Sequence, residues 1–157
     1  LKRLLLQENK MTEKKPFWET KKLSEMTNGE WESLCDGCAK CCLNKLEDAD
    51  TGYISYTNVA CHQLDIESCK CRNYSDRETY VPDCIKLTVS KLESLSWLPR
   101  TCAYRLLYEQ KSLYPWHPLI SGDKESVEKS GISVKGRIIS ENNNIDLEEH
   151  IVDWPNE

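Results

Sequence analysis

Four of the nine cysteines in this 157-residue chain form one run, Cys35-x-x-Cys38-x-x-Cys41-Cys42. Thiolates two residues apart on a turn can converge on one metal, because the backbone there curls and aims several sulfurs inward. The run is the strongest functional signal in the sequence. It speaks for a bound metal or iron–sulfur cluster more clearly than for any reaction.

Cys35, Cys38 and Cys41 reproduce the triple spacing that bacterial ferredoxins use for a [4Fe–4S] cluster, and Asp36-Gly37 supplies a flexible point inside it. A tetrahedral zinc would take Cys35 and Cys38 as one knuckle and two ligands from elsewhere. Spacing alone does not separate these options. Cys42 adds a constraint, since adjacent side chains tend to diverge and the Cys41-Cys42 pair is awkward on a single metal. The same holds less strongly for Cys69 and Cys71, separated by Lys70. Nine thiols exceed the four of one closed site, so a polynuclear or two-centre arrangement competes with one site plus several buried free cysteines. Cys61 and Cys84, each beside a turn or proline, are well placed to ligate, whereas Cys102 in Thr101-Cys102-Ala103-Tyr104 could equally be a small core residue.

His62 follows Cys61 and could ligate if the local turn permits, and His117 sits in the rigid context Trp116-His117-Pro118. A hydrogen-bonded structural role is the simpler expectation for each histidine. No H-E-x-x-H, Walker loop or G-x-G-x-x-G motif occurs. The pair Asp48 and Asp50 reads as turn-forming rather than as acid–base chemistry.

Composition permits one domain with a thin core. Hydrophobic residues make up 39% and charged residues 30%, and one Phe stands against seven Tyr and five Trp, aromatics whose polar atoms need partners when buried. A metal tying segments together would compensate. The net charge of −5 gives no electrostatic footprint for general nucleic-acid binding. The acidic tail, with Glu141, Asp146, Glu148, Glu149, Asp153 and Glu157, reads as a solvated face before a docking tail. No apolar stretch approaches the roughly 18 residues of a spanning helix, and the short run at Leu4-Leu5-Leu6 is no secretory core. Dense, odd-numbered cysteines without a secretory signal point to a cytoplasmic protein whose thiols bind metal rather than pair.

Along the chain, Met11 is a natural start, which makes residues 1–10 an expected upstream extension, frayed or loosely helical. Thr27-Asn28-Gly29-Glu30 has the form of a capping box, so a short helix should bury Trp31 and Leu34 and deliver Cys35. Residues 48–52 read as a turn, 53–59 as a strand and 61–84 as irregular backbone shaped by ligation. Helices are expected over Val89 to Leu98, stopped by Pro99, then from a Thr101 cap, and over Asp123 to Lys129. Residues 112–122 read as a loop, Ile132 to Ile139 as a strand and 146–153 as a final helical turn or two.

Taken together, Pro16-Phe17-Trp18, Trp31-Glu32-Ser33-Leu34-Cys35-Asp36-Gly37-Cys38, Cys69-x-Cys71-Arg72-Asn73-Tyr74, Pro82-Asp83-Cys84 and Trp116-His117-Pro118-Leu119 resemble the YcgN family of bacterial cysteine-cluster proteins. That family lies within the CxxCxxCC group of zinc- or iron-chelating domains, and the resemblance runs from about Pro16 to Trp154. It implies that the recurring chelators correspond to Cys35, Cys38, Cys41, Cys42, Cys61, Cys69 and Cys84, with Cys71 and Cys102 as additions of this branch. It implies no established activity.

The expected fold is a small α+β domain, irregular and metal-organised, with short helices and a few short strands. The expected organisation is an extension or disordered segment over residues 1–15, a cysteine-cluster domain over 16–154 and a tail over 155–157. The leading function is chelation of iron, as an iron–sulfur or thiolate centre, or of zinc, with a redox or metal-handling role. A zinc-stabilised protein-interaction module without catalysis is the alternative, and a metalloenzyme presenting His117 or Arg105 to a substrate is a third. The partners implied are a metal ion or cluster and a protein, with neither nucleic acid nor membrane.

Overall fold

In the computed structural model, which describes residues 13–157, the longest helices among the described residues have six residues. The expected extension over residues 1–10 lies outside that range. Helix α1 (Phe17–Thr20) is a single turn. Helix α2 (Asn28–Ser33) begins at the expected capping box: the Thr27 hydroxyl accepts from the Glu30 N–H at 3.2 Å, and the Glu30 carboxylate accepts from the Thr27 N–H at 2.9 Å. Leu34 closes the helix in full burial and hands the chain to Cys35.

Strands β1 (Leu43–Glu47) and β2 (Ile54–Ala60) form an antiparallel hairpin, paired from Leu43 opposite Ala60 to Glu47 opposite Ile54. The turn between them is held by Asp48, whose carboxylate accepts from the Asp50 and Thr51 amides at 3.0 and 2.7 Å. β2 lies one residue beyond its expected range. β1 has no sequence expectation, because Leu-Asn-Lys-Leu-Glu spaces its apolar residues by three rather than two and the ladder to β2 decides its conformation.

Residues 61–84 are largely irregular, as expected, with a two-residue ladder between β3 (Leu64–Asp65) and β4 (Lys70–Cys71) and one helical turn, α3 (Arg77–Tyr80). The helix expected over 89–98 is a 3-10 helix at Val89–Ser94 followed by turns. Its apolar residues Leu92, Leu95 and Leu98 repeat every third position, which suits three residues per turn.

Helix α4 (Ala103–Tyr108) starts from Cys102, one residue beyond the expected Thr101 cap. The segment expected as loop contains α5 (Pro118–Ser121), with proline at its first turn and His117 as N-cap. Helix α6 (Ser126–Lys129) ends just before Gly131, which takes φ +78°. The strand expected over 132–139 is reduced to β5 (Ile139–Ser140), parallel to β2, because Gly136 at φ +76° turns the chain first. A 3-10 turn at Leu147–His150, capped by Asp146, supplies the expected final helical turn.

Three apolar clusters result, and the cysteine motif is threaded through all of them. Leu34 belongs to the cluster built on Leu92, Leu98 and Tyr104; Ala39 and Leu43 to that of Tyr56, Val134 and Trp154; Cys38 to that of Val127 and Ile132. The segment from Leu34 to Leu43 is therefore a seam whose backbone is fixed from several sides.

Candidate metal centre

The motif curls because two of its residues adopt left-handed backbone, Gly37 at φ +75° and Ala39 at φ +61°. At Ala39 that conformation costs about 1–2 kcal/mol and is held by burial of its methyl group. Between them, the Asp36 carboxylate accepts from the Cys38 N–H at 2.9 Å. The amides of Gly37 and Lys40, each two residues on, act to lower the Cys35 and Cys38 thiols against the larger effect of desolvation. Bonds from the surrounding fold pin both ends: His117 Nε2 donates to the Leu34 carbonyl at 2.9 Å, and the Val134 N–H to the Cys38 carbonyl at 3.1 Å.

Lys40, inside the motif, points away from the thiols. Its ammonium is fully buried and bonds the Pro155 carbonyl and Glu157 Oε1, each at 3.0 Å. The residues Lys40–Cys42 form a 3-10 turn. The Cys41 and Cys42 thiols act on each other, and their interaction lowers the first and raises the second. Lys45 supplies the nearby cation. Its ammonium donates to the Cys41 and Leu43 carbonyls at 3.2 and 2.7 Å, and its charge acts on both thiols. Burial lowers the Lys45 pKa, while Cys41, Cys42 and Cys38 oppose that shift.

The β1–β2 hairpin brings in the next thiol. Cys42 precedes β1 and Cys61 follows β2, so the antiparallel ladder sets them side by side, with the Cys61 N–H donating to the Cys42 carbonyl at 2.9 Å. The β3–β4 ladder then folds Cys71 back, and Cys71 and Cys84 both act electrostatically with Cys61. Cys102 is an electrostatic neighbour of Cys41 and Asp36. Cys69 differs: it is buried at φ +55°, and after burial itself the groups acting on its thiol are Lys135, Glu128, Ser133 and Asp65. None of the nine cysteines is disulfide-bonded.

Burial holds the thiols of Cys35, Cys38, Cys61, Cys84 and Cys102 above the ordinary range, Cys102 to about 12. The Asp36 carboxylate adds to this at Cys35, Cys38 and Cys102. Its Oδ2 is buried and, among the described residues, has no hydrogen-bond partner. Desolvated thiols around an orphaned carboxylate oxygen are a donor set that a thiophilic cation suits. At the tighter spacing of a coordination sphere, one group among the described residues has all its donor atoms within 4.8 Å of one another, namely Cys61, His62 and Glu141. No three of the motif thiols close to that spacing.

The other sequence candidates are engaged in the fold. His117 is buried, and its Nδ1 accepts from the Leu119 N–H at 3.1 Å, so Nε2 carries the proton given to Leu34. Arg105 bonds Glu109 at 2.8 Å and the Ser96 and Leu98 carbonyls at 3.1 and 2.6 Å. The acidic tail is not simply a solvated face. Glu141 bonds His62 and Asn44, Asp146 caps a turn, and Glu157 holds Lys40. Asp36, Lys45 and Glu141 are site residues that sequence reasoning missed. Asp36 could have been found from its place inside the motif, but Glu141 carries no local signal.

The family model CxxCxxCC, described as a "Putative zinc- or iron-chelating domain", matches residues 34–103. A UPF0260 protein of Rhizorhabdus wittichii is 59% identical over 143 residues, covering 91% of this chain and 98% of the relative. UPF0260 proteins of Sinorhizobium fredii and Gluconacetobacter diazotrophicus are 56% and 53% identical, covering 89% and 92% of this chain and 92% and 91% of their own lengths. No solved structure matches. No helix among the described residues is long and apolar enough to cross a membrane.

Proposed function

This chain belongs to the UPF0260 family and carries its CxxCxxCC domain, and from that premise we propose that it is a cytoplasmic iron-chelating protein working in redox or metal handling. Cys35, Cys38, Cys41 and Cys42 are the primary ligands, with Cys61 and Cys84 beside them, and Cys71 and Cys102 completing the surplus. Cys69 stands apart from this set, in the apolar cluster of Leu43, Tyr56, Val134 and Trp154. The cysteine-cluster domain spans residues 16–154.

The observation that carries this reading is the curl of the motif, set by left-handed Gly37 and Ala39, around the Asp36 carboxylate, one of whose oxygens accepts from the Cys38 N–H while the other is buried and, among the described residues, without a partner. A buried carboxylate oxygen left unpaired among several thiols is satisfied by a bound cation. When bound, iron would supply Lewis-acid or one-electron chemistry. The protein's own part is to orient the sulfurs, to place Lys45 against the accumulated negative charge, and to hold Asp36 among the ligands. Iron is favoured over zinc because the triple spacing and the thiol surplus suit a cluster or polynuclear centre better than one closed tetrahedral site.

Anaerobic purification followed by metal analysis, acid-labile sulfide assay and absorption spectroscopy tests the proposal. Iron with thiolate-to-metal absorption is the expected result. A colourless protein with stoichiometric zinc and no sulfide would replace iron by zinc, and a protein that holds neither would end the reading.

A further inference from the structure

The hairpin that sets Cys61 beside Cys42 also aims it at two residues that the thiol centre does not use. His62 Nδ1 lies 2.7 Å from Glu141 Oε1, and the Cys61 sulfur, a ring nitrogen of His62 and a carboxylate oxygen of Glu141 all lie within 4.8 Å of one another. Glu141 arrives from the far end of the chain. It is fixed by the His62 N–H, which donates to Oε1 at 2.9 Å, and by the Asn44 amide, which donates to Oε2 at 2.9 Å. The second carboxylate oxygen is thus occupied, and Oε1 is left facing the imidazole.

From this geometry we infer a second metal site, distinct in donor type from the thiol centre, in which Cys61 Sγ, His62 Nδ1 and Glu141 Oε1 hold a divalent cation of the zinc type.

Three arguments carry it. The first is donor chemistry: sulfur, imidazole nitrogen and carboxylate oxygen are a set that borderline-soft divalent ions accept, and the thiolate and carboxylate together neutralise a 2+ charge. The second is distance. Tetrahedral coordination at zinc bond lengths separates ligand atoms by about 3.4–3.8 Å. The nitrogen and oxygen must therefore part by less than about 1 Å, with the cation replacing the single proton now between them. The third is orientation by neighbours. The Asn44 bond to Oε2 selects one carboxylate oxygen, as outer-shell partners do at metal sites.

The His62 and Glu141 side chains remain 50% and 32% exposed, so a fourth position faces water. That openness separates this centre from a closed structural one and makes its cation exchangeable. The inference shares Cys61 with the proposed thiol centre but depends on His62 and Glu141, which that proposal leaves out.

The test is anaerobic loading of the full chain with cobalt(II), counting equivalents bound and following ligand-field and sulfur-to-cobalt bands. Glu141→Gln keeps one acceptor oxygen, enough for either the Asn44 amide or the His62 N–H but not both, while removing the anionic ligand, and His62→Gln removes the nitrogen. Each variant is expected to bind one equivalent fewer than the wild-type chain, with circular dichroism unchanged and the remaining sulfur-to-cobalt bands retained. Full stoichiometry in either folded variant overturns the second site. Cys38→Ser probes the thiol centre separately: if it loses no equivalent, that reading fails while the outcome at Glu141 still stands by itself.

Discussion

His117→Phe isolates what the buried histidine does for the cysteine motif. A planar ring is kept and both ring nitrogens are lost, so the polar loss is a floor to which the larger phenyl ring adds packing strain. One part is the N-cap bond to the Leu119 amide, a feature worth about 1 kcal/mol at a helix start. The other is the Leu34 carbonyl, left buried without its donor at a cost of about 1–3 kcal/mol. The sum is about 2–4 kcal/mol, which in a chain of this size lowers the melting temperature by roughly 4–16 °C. The assay is thermal unfolding of the reduced, metal-free protein followed by circular dichroism. Because Leu34 directly precedes Cys35, the variant should also release metal faster to a chelator. A melting temperature within about 2 °C of wild type would show that neither bond contributes, and would refute the argument that His117 is structural.

Lys40→Ala should cost about 3–5 kcal/mol in denaturant melts, because it leaves Glu157 as an uncompensated buried carboxylate; a loss under about 1 kcal/mol would contradict burial of that pair. Thr27→Ala should cost about 1 kcal/mol by removing the α2 cap. Glu30 is held below the ordinary carboxylate range by the Lys21 ion pair first and the Thr27 amide next. Its stabilising effect is therefore full above the unfolded-state value and lost as pH falls through the lowered folded value, so Glu30→Gln should flatten stability between about pH 5 and pH 3; an unchanged slope would reject the coupling. Thiols held protonated by burial must each release a proton on metal binding, so affinity should rise with pH by about one decade per unit for every such ligand; a pH-independent chelator competition would refute this.

What could be read from the sequence was local. The α2 cap needs only Thr27 and Glu30, three residues apart, and β2 announces itself through Tyr53-Ile54-Ser55-Tyr56-Thr57. The cysteine motif and the small α+β class were equally accessible. β1 was not, because its pairing with β2 rather than its own pattern makes it a strand. The repeat at Leu92, Leu95 and Leu98 signalled a helix but not its type, which turns on the difference between 3.0 and 3.6 residues per turn. The convergence of Cys61 and His62 with Glu141, which lies 79 positions beyond His62, rests on tertiary placement alone.

The central claim is that the sulfurs of the Cys35–Cys42 segment hold the metal. X-ray absorption at the edge of the metal that copurifies anaerobically tests this most directly. The account predicts a first shell dominated by sulfur, diminished in Cys38→Ser and Cys41→Ser. A first shell of nitrogen and oxygen alone, unchanged in both variants, would contradict it.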